Sequence, residues 1–278
     1  MNKETLTNWL IEPENNFCAF PYRNLAIESN GDMRPCCMST LLKDKFNESI
    51  NINNGGSINY GFSHPSRAEL LKSFDENKQH PSCESCWKDK TEFSPRVLFS
   101  TGTYGIATTN EAFQSTNKSI SSKLEYLEIK AGNRCNLKCR ICGFNNSSQW
   151  TVEAHNYNNH ITNKKTPIKD SFYYKYSKQA EWVDNIDFWK NTDGLADLKA
   201  IHLMGGEPFL IPEHFEMLYK FIKSGASRNM VLAYNTNATI KLSDEQVDIL
   251  KEFKKVQISL SIDDIGKRFE YQRKNAIW

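Results

Sequence analysis

No cysteine follows Cys142, although the chain runs on to Trp278 and carries eight in all. Nor is any apolar run long enough to span a bilayer. The opening Met1-Asn-Lys-Glu-Thr-Leu-Thr-Asn-Trp9 also lacks the apolar stretch of a secretory signal. Charge of one sign is missing too: 35 Lys and Arg stand against 33 Asp and Glu, a net charge of +2. That balance removes the electrostatic case for nucleic acid or for a membrane surface as partner. There is no internal repeat, which sets repeat architectures aside. The expected location is the cytoplasm.

What is present is unevenly placed. With 278 residues, 39% of them hydrophobic and 24% charged, the chain has room for one large or two modest globular domains. Cys18, Cys36, Cys37, Cys83 and Cys86 lie in the first third, and Cys135, Cys139 and Cys142 share a run of eight residues. In a reducing compartment such clustering points to metal or redox chemistry before structural disulfides. Three thiolates cannot close a four-iron cluster, so a C-x3-C-x2-C loop with no fourth cysteine beside it leaves one iron open to bind something else. Structural zinc normally takes four protein ligands and suits the triad less well.

The chain divides at a Ser-, Thr-, Gly- and Asn-rich stretch, giving residues 1–100, a linker at 101–122 and residues 123–278. Beyond the linker, strand-like runs recur at Leu124–Lys130, Lys199–Met204, Met230–Tyr234 and Val256–Ile262. Helices fit between them. Pro212 opens one with Phe215, Leu218 and Ile222 on one face, ending near Gly225, and Ser243 with Gln246 forms a capping box for another. Such alternation predicts an α/β fold with a parallel sheet. The distinctive polar groups fall at the carboxyl ends of the strands, where parallel sheets build their sites. In the fourth run Val256, Ile258, Leu260 and Ile262 alternate with Gln257, Ser259, Ser261 and Asp263. The apolar set is expected to pack under helices and the polar set to face a polar ligand.

Residues 124–278 resemble the front part of a radical S-adenosylmethionine (radical SAM) core. The resemblance rests on the cysteine loop, on Gly205-Gly206-Glu207-Pro208 after the second strand, and on the polar ends of the third and fourth. It implies a partial (βα) barrel with about four of six units present; the fifth and sixth are missing, as in a fragment or truncated reading frame. It further implies that Cys135, Cys139 and Cys142 hold a [4Fe-4S] cluster whose open iron binds S-adenosylmethionine. Reductive cleavage would then yield a 5′-deoxyadenosyl radical for hydrogen abstraction, an oxidoreductase-like chemistry. By the same resemblance Gly205, Gly206, Glu207, Pro208, Asn235, Asn237, Ser259, Ser261 and Asp263 contact the cofactor. Ile141, where the family commonly has an aromatic, keeps a packing role against adenine.

The first third reads as a β-hairpin, Asn24 to Glu28 and Met33 onward around Ser29-Asn30-Gly31-Asp32, with a cysteine at each end. With His80-Pro-Ser-Cys83-Glu-Ser-Cys86-Trp87 it resembles the twitch and SPASM modules that hold an auxiliary [4Fe-4S] cluster, here ahead of the barrel in a small α+β domain. That implies four ligands: Cys18, one of Cys36 and Cys37 (Cys36 favoured), Cys83 and Cys86. Zinc is the alternative metal, and His64 or His80 could substitute as ligands. The implied partners are a flavodoxin- or ferredoxin-type reductant and a peptide or small-molecule substrate. The rival readings are a non-catalytic iron–sulfur or zinc binding protein that keeps the fold, and a cysteine redox switch without clusters.

Overall fold

The computed structural model describes residues 3–89, 91–101 and 122–278. The expected linker, but for its end residues, lies outside them. Six strands form one sheet: β1 (Asn24–Ile27), β2 (Met33–Arg34), β3 (Tyr126–Ala131), β5 (Ala200–Gly205), β6 (Val231–Thr236) and β7 (Lys255–Leu260). Their order is β2-β1-β3-β5-β6-β7, and every pairing is parallel except β1 with β2. The sheet is open. A separate two-stranded ladder joins β4 (Lys138–Cys139) to β8 (Arg273–Lys274).

Local signals hold where they were strongest. The hairpin forms with Ile27 opposite Met33, and Gly31 takes the left-handed conformation (φ 89°) that its turn requires. Both halves of the Ser243–Gln246 capping box are made. The helix His214–Ser224 ends at Gly225 in the left-handed region. The hairpin does more than the sequence suggested. β1 pairs in parallel with β3, so the first third of the chain extends the same sheet that carries the cysteine loop.

The sheet has two unlike faces because its strands run in register. Leu127, Ile201, Leu232 and Val256 stand abreast, and so do Glu128, His202, Ala233 and Gln257. The apolar row, with Ile129, Leu203 and Tyr234, packs under Phe215, Leu218, Phe221, Trp182 and Trp189. Trp189 is fully buried with its indole N–H on the Val183 carbonyl (2.7 Å), and burying a side chain of that kind stabilises by ~2–3 kcal/mol. Trp182 donates to the Ser29 carbonyl at the hairpin turn (3.0 Å), tying the helical excursion before β5 to β1 and β2.

The opposite face is polar. Glu28 joins Arg34 (2.8 Å) and Lys130 (2.7 Å). Asn235 Oδ1 can only accept, so His202 donates to it from Nε2 (3.1 Å) and accepts from the Tyr126 hydroxyl at Nδ1 (2.9 Å). The alternation expected for the fourth run alone therefore extends across the sheet. Its packing half is corrected: Ile258, Leu260 and Ile262 are 46–55% exposed. Leu250 of the helix Asp244–Lys251, and Phe253 just after it, reach only the start of β7, and among the described residues no helix covers the rest of this edge strand.

Candidate functional site

At the carboxyl end of β3 the chain turns through Gly132 and enters the cysteine loop. Polar tethers shape that loop. Asn133 Nδ2 donates to the Phe144 carbonyl (2.8 Å), Ser147 Oγ to the Leu137 carbonyl (2.7 Å) and Trp150 Nε1 to the Cys139 carbonyl (3.1 Å). Cys135 and Cys139 are buried and Cys142 half-buried, with Phe269 and Leu137 packed against them. Cys139 and Cys142 share a hydrogen bond, which pushes the first thiol up in pKa and draws the second down. Donors approach the sulfurs: Asn237 Nδ2 lies 3.7 Å from Cys135 Sγ and Arg273 Nη1 lies 3.5 Å from Cys139 Sγ. A row of thiols meeting N–H donors and a cation suits thiolate ligation of iron.

These cysteines border a cavity of about 220 Å³. Of the sequence-derived residues, Ile141, Gly205, Gly206, Asn235, Asn237 and Ser261 line it with them. Glu207, Pro208, Ser259 and Asp263 do not. Glu207 is fully buried, with Oε1 accepting from the Thr236 hydroxyl (2.8 Å) and the Phe209 amide (3.2 Å) and Oε2 from the Asn237 amide (2.8 Å). Its carboxylate ties the turn after β5 to the end of β6, and burial raises its pKa. The two glycines likewise meet the protein itself. A Cβ on Gly206 would lie 2.1 Å from the Arg134 carbonyl oxygen, and one on Gly205 2.7 Å from the Ala131 amide nitrogen. They let this turn press against the backbone that launches the cysteine loop.

Sequence reading missed Lys130, Met204, Asn146 and Arg273, which also line the cavity. Lys130 and Met204 are register partners at strand ends, so strand alternation could have found them. Arg273 carried no signal: it arrives because β8 folds back onto β4.

The second cysteine set also converges. Cys18, Cys36, Cys83 and Cys86 line one small pocket with Trp87, Phe99 and Arg96. Burial pushes Cys18 up to about 12 and Cys36 up to about 11, with neighbouring cysteines adding to the rise. The guanidinium of Arg96, itself buried, opposes it at Cys18 and Cys86. A donor set made entirely of sulfur beside a buried cation fits a cluster with several thiolate ligands. Among the described residues no three Cys, His, Asp or Glu side chains close around a single ion. Neither histidine lines the pocket: the side chains of His64 and His80 instead accept the amides of Ser66 and Ser82.

Cys37 stands apart. It hydrogen-bonds Glu128 on the polar face of the sheet, where burial lifts the carboxylate to about 7. Cys36→Ala is therefore expected to strip the N-terminal site of its metal, whereas Cys37→Ala leaves it intact. Metal per chain after anaerobic reconstitution reads the difference, and equal losses would contradict it.

A largely parallel α/β sheet with a three-thiol loop at the carboxyl end of a strand, and a second thiol set packed at the amino ends of the strands, defines an iron–sulfur protein of the α/β class. The family model described as the radical SAM superfamily matches residues 129–276, more than half of the chain, and that described as the SPASM iron–sulfur cluster-binding domain matches residues 18–87. The chain belongs to the radical SAM superfamily and carries a SPASM-type domain. No curated protein and no solved structure matches it. Among the described residues no helix is long and apolar enough to cross a membrane.

Proposed function

We propose that the chain is a radical SAM enzyme that cleaves S-adenosylmethionine reductively and abstracts hydrogen from a substrate. The observation that carries this reading is the cavity itself. It brings Cys135, Cys139 and Cys142 together with Gly205, Gly206, Asn235, Asn237 and Ser261, from the carboxyl ends of parallel strands and the turns that follow them. Cys135, Cys139 and Cys142 would hold a [4Fe-4S] cluster, which when bound and reduced would supply the electron for cleavage of the sulfonium to methionine and a 5′-deoxyadenosyl radical.

The chain's own residues do the holding. Asn237 and Arg273 donate to the sulfurs. The backbone edge at Gly205 and Gly206 and the side chains of Asn235 and Ser261 offer polar contacts to the methionyl and ribosyl groups. Ile141, 70% exposed, offers an apolar surface to adenine. Lys130, where the polar sheet face borders the cavity, belongs to the wall a substrate meets. We place Glu207, Pro208, Ser259 and Asp263 in support of that surface, around rather than against the cofactor.

The sheet corresponds to about four of six barrel units, and Cys18, Cys36, Cys83 and Cys86 are the ligands of a second [4Fe-4S] cluster. A flavodoxin- or ferredoxin-type protein is the electron source, and a peptide is favoured over a small molecule as substrate. The setting is the cytoplasm, where thiols stay reduced. Under anaerobic reduction, the reconstituted chain with S-adenosylmethionine is expected to release 5′-deoxyadenosine and methionine, read by mass spectrometry. A cluster-loaded protein that releases neither would instead be the non-catalytic iron–sulfur binder.

A further inference from the structure

Arg273 is the one cation drawn to the sulfur of a loop cysteine among the described hydrogen bonds. It is 5% exposed and borders the cavity. Backbone geometry puts it there. In the β4–β8 ladder Arg273 stands directly opposite Cys139. The neighbouring Arg140 amide donates to the Gln272 carbonyl (2.8 Å) and Arg140 Nε to the Tyr271 carbonyl (3.0 Å), fixing that register. Phe269, on the helix Gly266–Gln272 just before β8, packs against Cys135 and Cys139 and covers them from the same side. The guanidinium then makes two charged contacts. Nη1 lies 3.5 Å from Cys139 Sγ, and Nε lies 2.8 Å from the Asp263 carboxylate, just beyond β7.

A reduced cluster carries one more negative charge than an oxidised one. A buried N–H donor with a full positive charge on a ligand sulfur stabilises the reduced form, and low exposure limits the screening of that effect. The Asp263 carboxylate on the same guanidinium acts in the opposite sense. The neutral Asn237 amide, 3.7 Å from Cys135 Sγ, is a weaker donor of the same kind. We propose that the Arg273–Asp263 couple sets the reduction potential of the cluster on Cys135, Cys139 and Cys142: Arg273 raises it and Asp263 holds that rise in check. The inference rests on the reading that this loop carries a cluster. Arg273 acts through the Cys139 sulfur and is a positioning residue.

The test is a redox titration of the full reconstituted chain without S-adenosylmethionine. It follows by electron paramagnetic resonance the signal that is missing when all three loop cysteines are alanine. Arg273→Gln keeps the backbone ladder and removes the charge. It is expected to shift the reduced-to-oxidised ratio against reduction by about tenfold, ~59 mV for a one-electron couple. Arg273→Lys should fall between the glutamine variant and the wild type. Asp263→Asn should move the midpoint upward.

The opposite signs exclude a loosened loop, which would move both variants alike. Full iron with an unmoved midpoint in Arg273→Gln overturns the proposal, as does a common direction for the two substitutions. Should Arg273→Gln fail to hold iron, Asp263→Asn still decides, and an unmoved or lowered midpoint there overturns it. A wild-type loop that takes up no iron fails earlier, at the functional reading itself.

Discussion

Replacing Cys135, Cys139 and Cys142 together by alanine is expected to lower iron from about eight to about four per chain and to abolish 5′-deoxyadenosine formation altogether. The two effects separate because the two thiol sets are built on different segments. The N-terminal set draws its sulfurs from positions 18, 36, 83 and 86 around Arg96, with Trp87 and Phe99 as its walls. None of those contacts passes through the loop at 135–142. Loss of all iron in the triple variant would mean that the sites are coupled or that only one exists. Four iron in the wild type with zinc alongside would keep the radical enzyme and make the N-terminal site a structural zinc. A folded wild-type chain without iron would leave neither cluster, and with them the proposed chemistry would fall.

What could be read from the chain beforehand was whatever is local in sequence. The Asn-Gly hairpin, the Ser243 capping box, the Gly225 stop and the strand runs are each decided within a few residues, and each formed. The cysteine groupings were legible for the same reason, since thiol spacing is itself the signal. What was hidden depends on distant partners. The parallel pairing of β1 with β3 spans about a hundred residues and leaves no pattern in either strand.

Glu207 illustrates the limit at a single position. A carboxylate after two glycines at a strand end suggests a ligand contact. Three donors from the turn after β5 and the end of β6 claim it instead, and only their folded positions show this. Cys36 and Cys37 are adjacent and chemically equal in the sequence. The end of the hairpin sends one to the thiol pocket and the other to Glu128. The apolar row of β7 promised burial, because a period of two records which residues share a face and not whether anything covers it.

Gly206→Ala is expected to act as severely as removing the cysteines, although it removes none of the sulfurs. The added methyl carbon would fall 2.1 Å from the Arg134 oxygen, 2.6 Å from its carbonyl carbon and 2.8 Å from that of Asn133, all backbone atoms. No rotamer can relieve contacts of that kind. The segment at 132–134 would have to move, and it is held in place by the Gly206 amide on the Gly132 carbonyl (3.1 Å) and the Glu207 amide on the Arg134 carbonyl (2.8 Å). Since this segment launches the cysteine loop, the expected result is iron falling to the level of the triple-alanine variant, no 5′-deoxyadenosine, and stability lower by ~1–3 kcal/mol in urea.

Gly225→Ala is the comparison that isolates the cause. Gly225 sits at positive φ (77°), but nothing lies within 4 Å of its missing Cβ, so the substitution carries backbone strain of ~1–2 kcal/mol and no collision. Its iron content should match the wild type. If Gly206→Ala kept its iron as well, the loop could not depend on the close approach of these two backbones. The Gly-Gly turn would then face the cofactor alone, as its sequence first suggested.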